Sequence, residues 1–162
     1  MKLETLLAVV GADPIFESSL LLAGDVDPAD VSKQLSRWTR SGTIWQMRRG
    51  LYCLAPPYRK IEPHPFLVAN SLVPASYVSL QSALAFWQLI PEYAAAVTSV
   101  TTHGPRTFDT RLGRFELRHV KKGLFSGYRS IEVSPGQRAF VASPEKALLD
   151  LIHLTPGGDG EV

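Results

Sequence analysis

Apolar residues recur at helical spacing from the start of the chain. Leu3, Leu6, Leu7 and Val10 predict a helix over residues 2–10, broken by Gly11-Ala12-Asp13-Pro14. The apolar segment at residues 15–23 predicts a short second helix beginning at Ser18 or Ser19 and ended by Gly24. Asp27-Pro28 combines an N-cap acid with a proline at the first helical position, so a third helix is predicted from there to Ser41, stopped by Gly42. Residues 43–48 and 51–54 are β-prone runs around a turn containing Gly50, which predicts a hairpin. Ala55-Pro56-Pro57 closes it, and a proline-dense connector runs through Pro63 and Pro65.

Beyond the connector, helices are predicted at residues 65–72 and 79–88, the latter from Leu80, Ala83, Leu84 and Trp87. Strands are predicted at residues 95–102, 114–120 and 128–133. Ser143-Pro144-Glu145 opens a last helix, with Ala147, Leu148, Leu151 and Ile152 as its expected apolar face up to Leu154. Residues 156–160 carry no packing signal, and no internal repeat is visible. The predicted fold class is α+β. Residues 1–60 follow the order helix, helix, helix, hairpin of a winged helix-turn-helix. Residues 61–162 form an α+β domain with a mainly antiparallel sheet.

Composition adds exclusions. Of 162 residues, 45% are hydrophobic and 20% charged, ordinary for a folded globular chain. No apolar run approaches the roughly 18 residues of a membrane span, so no membrane association is expected. No secretion signal is visible, and Cys53 is the single cysteine, so the expected setting is the reducing cytoplasm.

Charge placement is more informative than the net value of +2. Residues 1–30 set Lys2 against Glu4, Asp13, Glu17, Asp25, Asp27 and Asp30, a net −5. Residues 31–61 carry Lys33, Arg37, Arg40, Arg48, Arg49, Arg59 and Lys60 with no acid, a net +7. The remainder is balanced. A localised cationic block interleaved with Leu35, Trp38, Ile44 and Trp45 is folded rather than a tail, and it suits a polyanion.

On the third helix, at 100° per residue, Val31, Leu35 and Trp38 share one narrow stripe, and Lys33, Arg37 and Arg40 share the opposite face. Ser32, Gln34 and Ser36 fill the flanks. Such a face is shaped for a major groove, where cations hold phosphates and Arg or Gln also pair with base edges. Arg48 and Arg49 at the hairpin turn would reach the backbone or the minor groove, with Arg59 and Lys60 extending the patch. The candidate DNA-binding residues are therefore Ser32, Lys33, Ser36, Arg37, Arg40, Arg48 and Arg49. A plain solvated face is the competing reading, but such faces usually mix signs. Trp38 and Trp87 read as core, Trp45 as core or as a stiffener of the hairpin, and Cys53 as a small buried residue.

Catalytic signals are poor. There is no GxSxG, GxxxxGK[ST], GxGxxG or CxxC. His64 between prolines reads as a loop residue. Glu116 and His119 would point to opposite faces of a strand, and Asp150 with His153 makes no metal site without further ligands. Asp109 with Glu116-Leu117-Arg118 has the acids of a metal-dependent nuclease but an arginine where a lysine is needed. Arg106, Arg111, Arg114, Arg118, Lys121 and Lys122 read as a solvated hairpin face. No catalytic residue, cofactor or metal is expected, and the protein is not expected to be an enzyme.

Leu35-Ser36-Arg37-Trp38, Gly42-Thr43-Ile44 and Arg48-Arg49-Gly50-Leu51-Tyr52 resemble the winged-helix half of AbiEi-type antitoxins of type IV toxin–antitoxin (abortive infection) systems. The resemblance continues through Ser76-Tyr77-Val78-Ser79-Leu80-Gln81-Ser82-Ala83-Leu84, Leu89-Ile90-Pro91-Glu92 and Thr98-Ser99-Val100-Thr101-Thr102. It also takes in Ser143-Pro144-Glu145-Lys146-Ala147-Leu148-Leu149-Asp150, so it covers nearly the whole chain. It implies a repressor that binds inverted repeats in its own operator on double-stranded DNA. It also implies an antitoxin that counteracts a nucleotidyltransferase-like toxin without a stable complex, as part of antiviral defence. It assigns DNA contact to Ser36, Arg37, Arg40, Arg48 and Arg49 and no catalytic role to any residue. Such proteins commonly continue past the Pro-Glu-Lys-Ala helix, so the second domain reads as shortened and repression is implied more firmly than antitoxin activity. The alternative expectation is a protein-interaction module that binds a toxin or other partner on a winged-helix scaffold, without specific DNA binding.

Overall fold

The computed structural model describes residues 1–92 and 95–154. These residues form a mixed α+β structure in two compact units, one over Met1–Pro63 and the other over the described residues from His64 onwards. The tail expected to lack packing lies outside the described residues.

The first unit runs α1 (Leu3–Val10), β1 (Phe16–Glu17), a 3₁₀ turn (Ser18–Leu22), α2 (Pro28–Ser41), β2 (Ile44–Arg48) and β3 (Leu51–Leu54). Both ends of α2 follow from local chemistry. The Asp27 carboxylate accepts from the Ala29 N–H at 3.0 Å, satisfying a donor that a helix start leaves free. Gly42 takes the left-handed conformation at φ 81°, which a residue without Cβ adopts at no steric cost. The Val31, Leu35 and Trp38 stripe is buried in one cluster with Leu6, Val10 and Leu21 from the preceding segments and Ile44 and Leu54 from the hairpin. Trp38 anchors that cluster at 8% exposure, so Trp38→Ala is expected to cost about 3–5 kcal/mol, read by denaturant unfolding.

The segment at residues 15–23 divides in a way periodicity did not indicate. Phe16 and Glu17 pair antiparallel with Tyr52 and Leu51, giving the sheet order β1-β3-β2, and only then does the 3₁₀ turn begin. The Phe16 ring stacks on Tyr52 at 5.8 Å. A two-residue strand has no period of its own.

The second unit runs α3 (Pro65–Leu72), β4 (Ser76–Val78), α4 (Leu80–Phe86), β5 (Val97–Thr101), β6 (Arg106–Thr110), β7 (Gly113–His119), β8 (Tyr128–Ser134), β9 (Gln137–Ala142) and α5 (Pro144–Leu154). Its six strands are ordered β6-β7-β5-β4-β9-β8. Pairs β6–β7, β4–β5 and β8–β9 are antiparallel, whereas β5–β7 and β4–β9 are parallel, so the sheet is mixed. Parallel neighbours need crossovers through other elements, and no local pattern announces them. Strands β4, β6 and β9 went unpredicted for separate reasons. Strand β4 is three residues buried on both faces, β6 is a polar edge, and β9 directs Gln137, Ala139 and Val141 inward, a weakly apolar set.

His64 lies in the loop before α3, as expected, and caps the helix: its Nδ1 accepts from the Phe66 N–H at 3.0 Å. Burial lowers the imidazole pKa below its ordinary value. The unfolded chain therefore binds a proton that the folded one resists. This contribution to stability is present above about pH 6.5 and is lost as pH falls through that value. His64→Asn, which keeps a capping acceptor, is expected to flatten the decline in melting temperature between about pH 7 and pH 5.

Of the face expected of helix α5, Ala147 is buried and Leu151 half-buried, but Leu148 and Ile152 are exposed and Asp150 turns inward instead. Leu148, Leu149 and Ile152 stand at 48%, 61% and 42% exposure. The run Leu-Leu-Asp-Leu-Ile is apolar nearly all round, so spacing could not choose; buried donors did. The Asp150 carboxylate accepts from the Tyr77 hydroxyl at 3.0 Å and the Ser79 hydroxyl at 2.7 Å, and pairs with Lys146 Nζ at 2.8 Å. Burial, then the Asp150 charge, raises the Tyr77 hydroxyl pKa far above its ordinary value. Tyr77 in turn stacks on Tyr128 at 4.7 Å. His153 is exposed and takes no part. Trp87, just past α4, is half-buried and donates from Nε1 to the Ala142 carbonyl at 2.8 Å. Among the described residues, no helix is long and apolar enough to cross a membrane.

Candidate nucleic-acid interface

Helix α2 presents the candidate residues on one side. Ser32, Lys33, Ser36, Arg37 and Arg40 are exposed, opposite the buried Val31, Leu35 and Trp38. Among the described residues, the ion pairs are Glu17–Arg48, Asp109–Arg114, Glu116–Arg114 and Asp150–Lys146. None neutralises Lys33, Arg37, Arg40 or Arg49. A groove of about 320 Å³ lies between α2 and the hairpin turn, lined by Ser32 and Leu35 on one side and Arg49, Gly50 and Tyr52 on the other. Of the candidate residues, Ser32 and Arg49 line this groove, and Lys33, Arg37 and Arg40 do not.

The two turn arginines differ. Arg49 is exposed. Arg48 is half-buried, lies 3.9 Å from Glu17 and donates from Nη1 to the Arg49 carbonyl at 2.8 Å. A bulge between Gln46 and Arg48 buries Met47 and aims Arg48 back towards β1. Arg48 therefore braces the turn. The cationic block holds no acid in sequence, but Glu17 reaches it in space through the strand pairing that periodicity missed.

Arg59 does not extend the patch. Its guanidinium lies over the Trp45 ring, 5.3 Å from the centroid, a cation–π contact that gives Trp45 its place. It also opposes the effect of burial, which raises the pKa of the Cys53 thiol. Lys60 is exposed. The geometry missed by sequence reading is Asp30, exposed on α2 one turn before Lys33. By sequence it belongs to the acidic interval 1–30, one residue before the acid-free block.

The second basic cluster is largely engaged with its own unit. Arg114 bonds Glu116 at 3.1 Å and Asp109 at 3.2 Å, Arg118 donates to the Leu154 carbonyl, and Arg106 lies over the Phe108 ring. Asp109 and Glu116 are thus held by an arginine. Among the described residues, no group of three or more His, Cys, Asp or Glu side chains is placed to hold a metal ion. No family model matches the chain, and no curated relative is detected.

Proposed function

We propose that the protein is a sequence-specific, DNA-binding transcriptional repressor whose first unit is a winged helix-turn-helix. In this reading α2 is the recognition helix and the β2–β3 hairpin the wing. Lys33, Arg37 and Arg40, with Ser32 and Ser36 between them, enter the major groove, and Arg49 holds the adjacent backbone. The mechanism is binding, with no chemical step. The carrying observation is the exposed cationic face of α2, free of carboxylate pairing and backed by a buried apolar stripe. Following the resemblance, the operator is the protein's own toxin–antitoxin promoter, and the second unit counteracts a nucleotidyltransferase-like toxin.

With four to five phosphate contacts, log affinity for duplex DNA is expected to fall against log salt with a slope of about −4. A fluorescence titration across salt concentrations measures it. Salt-insensitive binding, or no binding to the chain's own promoter, would overturn the reading.

One observation favours a second reading, a protein-interaction module. The exposed Leu148, Leu149 and Ile152 of α5 form an apolar strip of the kind that docks partners. A stable co-purifying partner, indifferent to charge reversal at Arg37 and Arg40, would support that reading over DNA binding.

A further inference from the structure

A cavity of about 530 Å³ lies within the second unit, between the start of α3 and the end of α4. Small-molecule sites are typically of that size, roughly 300–1,000 Å³. Phe66 and Phe86 supply an aromatic wall, their ring centroids 5.6 Å apart. Among the described residues that line the cavity, Glu92 is the one acid, and there is no lysine or arginine. The Glu92 carboxylate is exposed, and no ion pair or hydrogen bond among the described residues engages it. The Ser82 hydroxyl also lines the cavity but is already held by the Ala96 carbonyl at 3.4 Å and the Thr98 N–H at 2.9 Å. His64 contributes a donor: its Nδ1 accepts from the Phe66 N–H, so the neutral ring carries its proton on Nε2. Gln88 lines the cavity too, in the left-handed conformation at φ 62°. Glycine takes that conformation freely at a helix end, whereas glutamine is strained there, so ending α4 does not by itself account for an amide-bearing side chain at this position.

We propose that this cavity binds a small, flat aromatic compound bearing a cationic amidine-type nitrogen group, its ring against Phe66 and Phe86 and its N–H groups on the Glu92 carboxylate. A planar amidinium offers two parallel N–H donors, the fork that a carboxylate accepts in a bidentate pair. The faces of phenyl rings attract positive charge as well. The Gln88 amide, both donor and acceptor, and the His64 Nε2–H orient the remaining polar atoms of the ligand. Anionic and phosphorylated compounds are rejected, because the lining sets a carboxylate against them and offers no cation in return. The inference does not rest on the DNA-binding reading of α2.

The test titrates three single-ring probes of similar size, benzamidine, benzoate and benzyl alcohol, into the full chain and follows the backbone amide signals by two-dimensional NMR. Benzamidine is expected to shift the signals of residues around the cavity and to saturate, with benzoate binding far more weakly. Glu92→Gln removes a charge-assisted hydrogen-bond acceptor from an exposed position, so it is expected to weaken benzamidine about tenfold and leave benzyl alcohol unchanged. Gln88→Gly is expected to keep or raise the melting temperature and still weaken benzamidine, a combination that a merely structural role for Gln88 does not give. Benzoate binding as tightly as benzamidine, or benzamidine indifferent to Glu92→Gln, would overturn the assignment of ligand charge. Shifts confined to Asp25, Asp27 and Asp30 of the first unit, or none with any probe, would overturn the site itself.

Discussion

Asp150→Ala is expected to destabilise the second unit by about 3–5 kcal/mol, the cost of breaking a buried ion pair by deleting one partner. The substitution removes the acceptor of the Tyr77 and Ser79 hydroxyls and strands the Lys146 ammonium beside them. Tyr77 and Ser79 are both fully buried, so neither hydroxyl can turn to water for compensation. Each therefore bears the desolvation penalty of an unmade bond. Replacing both charges with apolar residues of similar volume, Asp150→Leu with Lys146→Met, is expected to recover only the part of the cost that comes from the stranded charge, because the Tyr77 and Ser79 hydroxyls still lack an acceptor. Urea unfolding of the two single variants and the double variant measures the coupling. An Asp150→Ala variant within 1 kcal/mol of wild type would sink the idea that this network chooses which face of α5 is buried.

The double charge reversal Arg37→Glu with Arg40→Glu is expected to weaken duplex binding by about 4 kcal/mol, roughly a thousandfold. Both side chains are exposed on the helix face opposite the core, so folding stability should hardly change. That separation makes the variant informative: fluorescence anisotropy reads the affinity, and a thermal melt confirms the fold. Wild-type affinity in a folded double variant would remove α2 from the interface. Arg49→Glu should instead weaken all sequences alike, as expected for a backbone contact. Arg48→Glu is a poorer probe, because it also sets two carboxylates, residue 48 and Glu17, against each other across the β1–β3–β2 sheet.

The legibility of this chain varied with the kind of signal each segment carries. Helix α2 was readable to its ends because Asp27, Pro28 and Gly42 act through their own backbone neighbours. The hairpin was readable from two β-prone runs and Gly50. Strand β1 was not, since two residues become a strand only when Tyr52 and Leu51 lie beside them. The bracing of Arg48 by Glu17 depends on that same pairing. The expected apolar face of α5 was partly displaced because a helix with leucine on nearly every side has no preferred face until its surroundings supply one. Asp30 was counted with the acidic interval 1–30, although it lies on the same helix as Lys33, Arg37 and Arg40.

Read alone, the order of residues determined both ends of α2, the hairpin, the Val31-Leu35-Trp38 stripe and the concentration of positive charge between residues 31 and 61. All of these are set by contacts within a few positions of one another. Only the folded chain decided the mixed sheet order, the inward turn of Asp150 and the removal of Arg48 and Arg59 from the free cations. Those outcomes depend on partners distant in sequence or adjacent only around a helix, where spacing along the chain carries no information about what lies opposite.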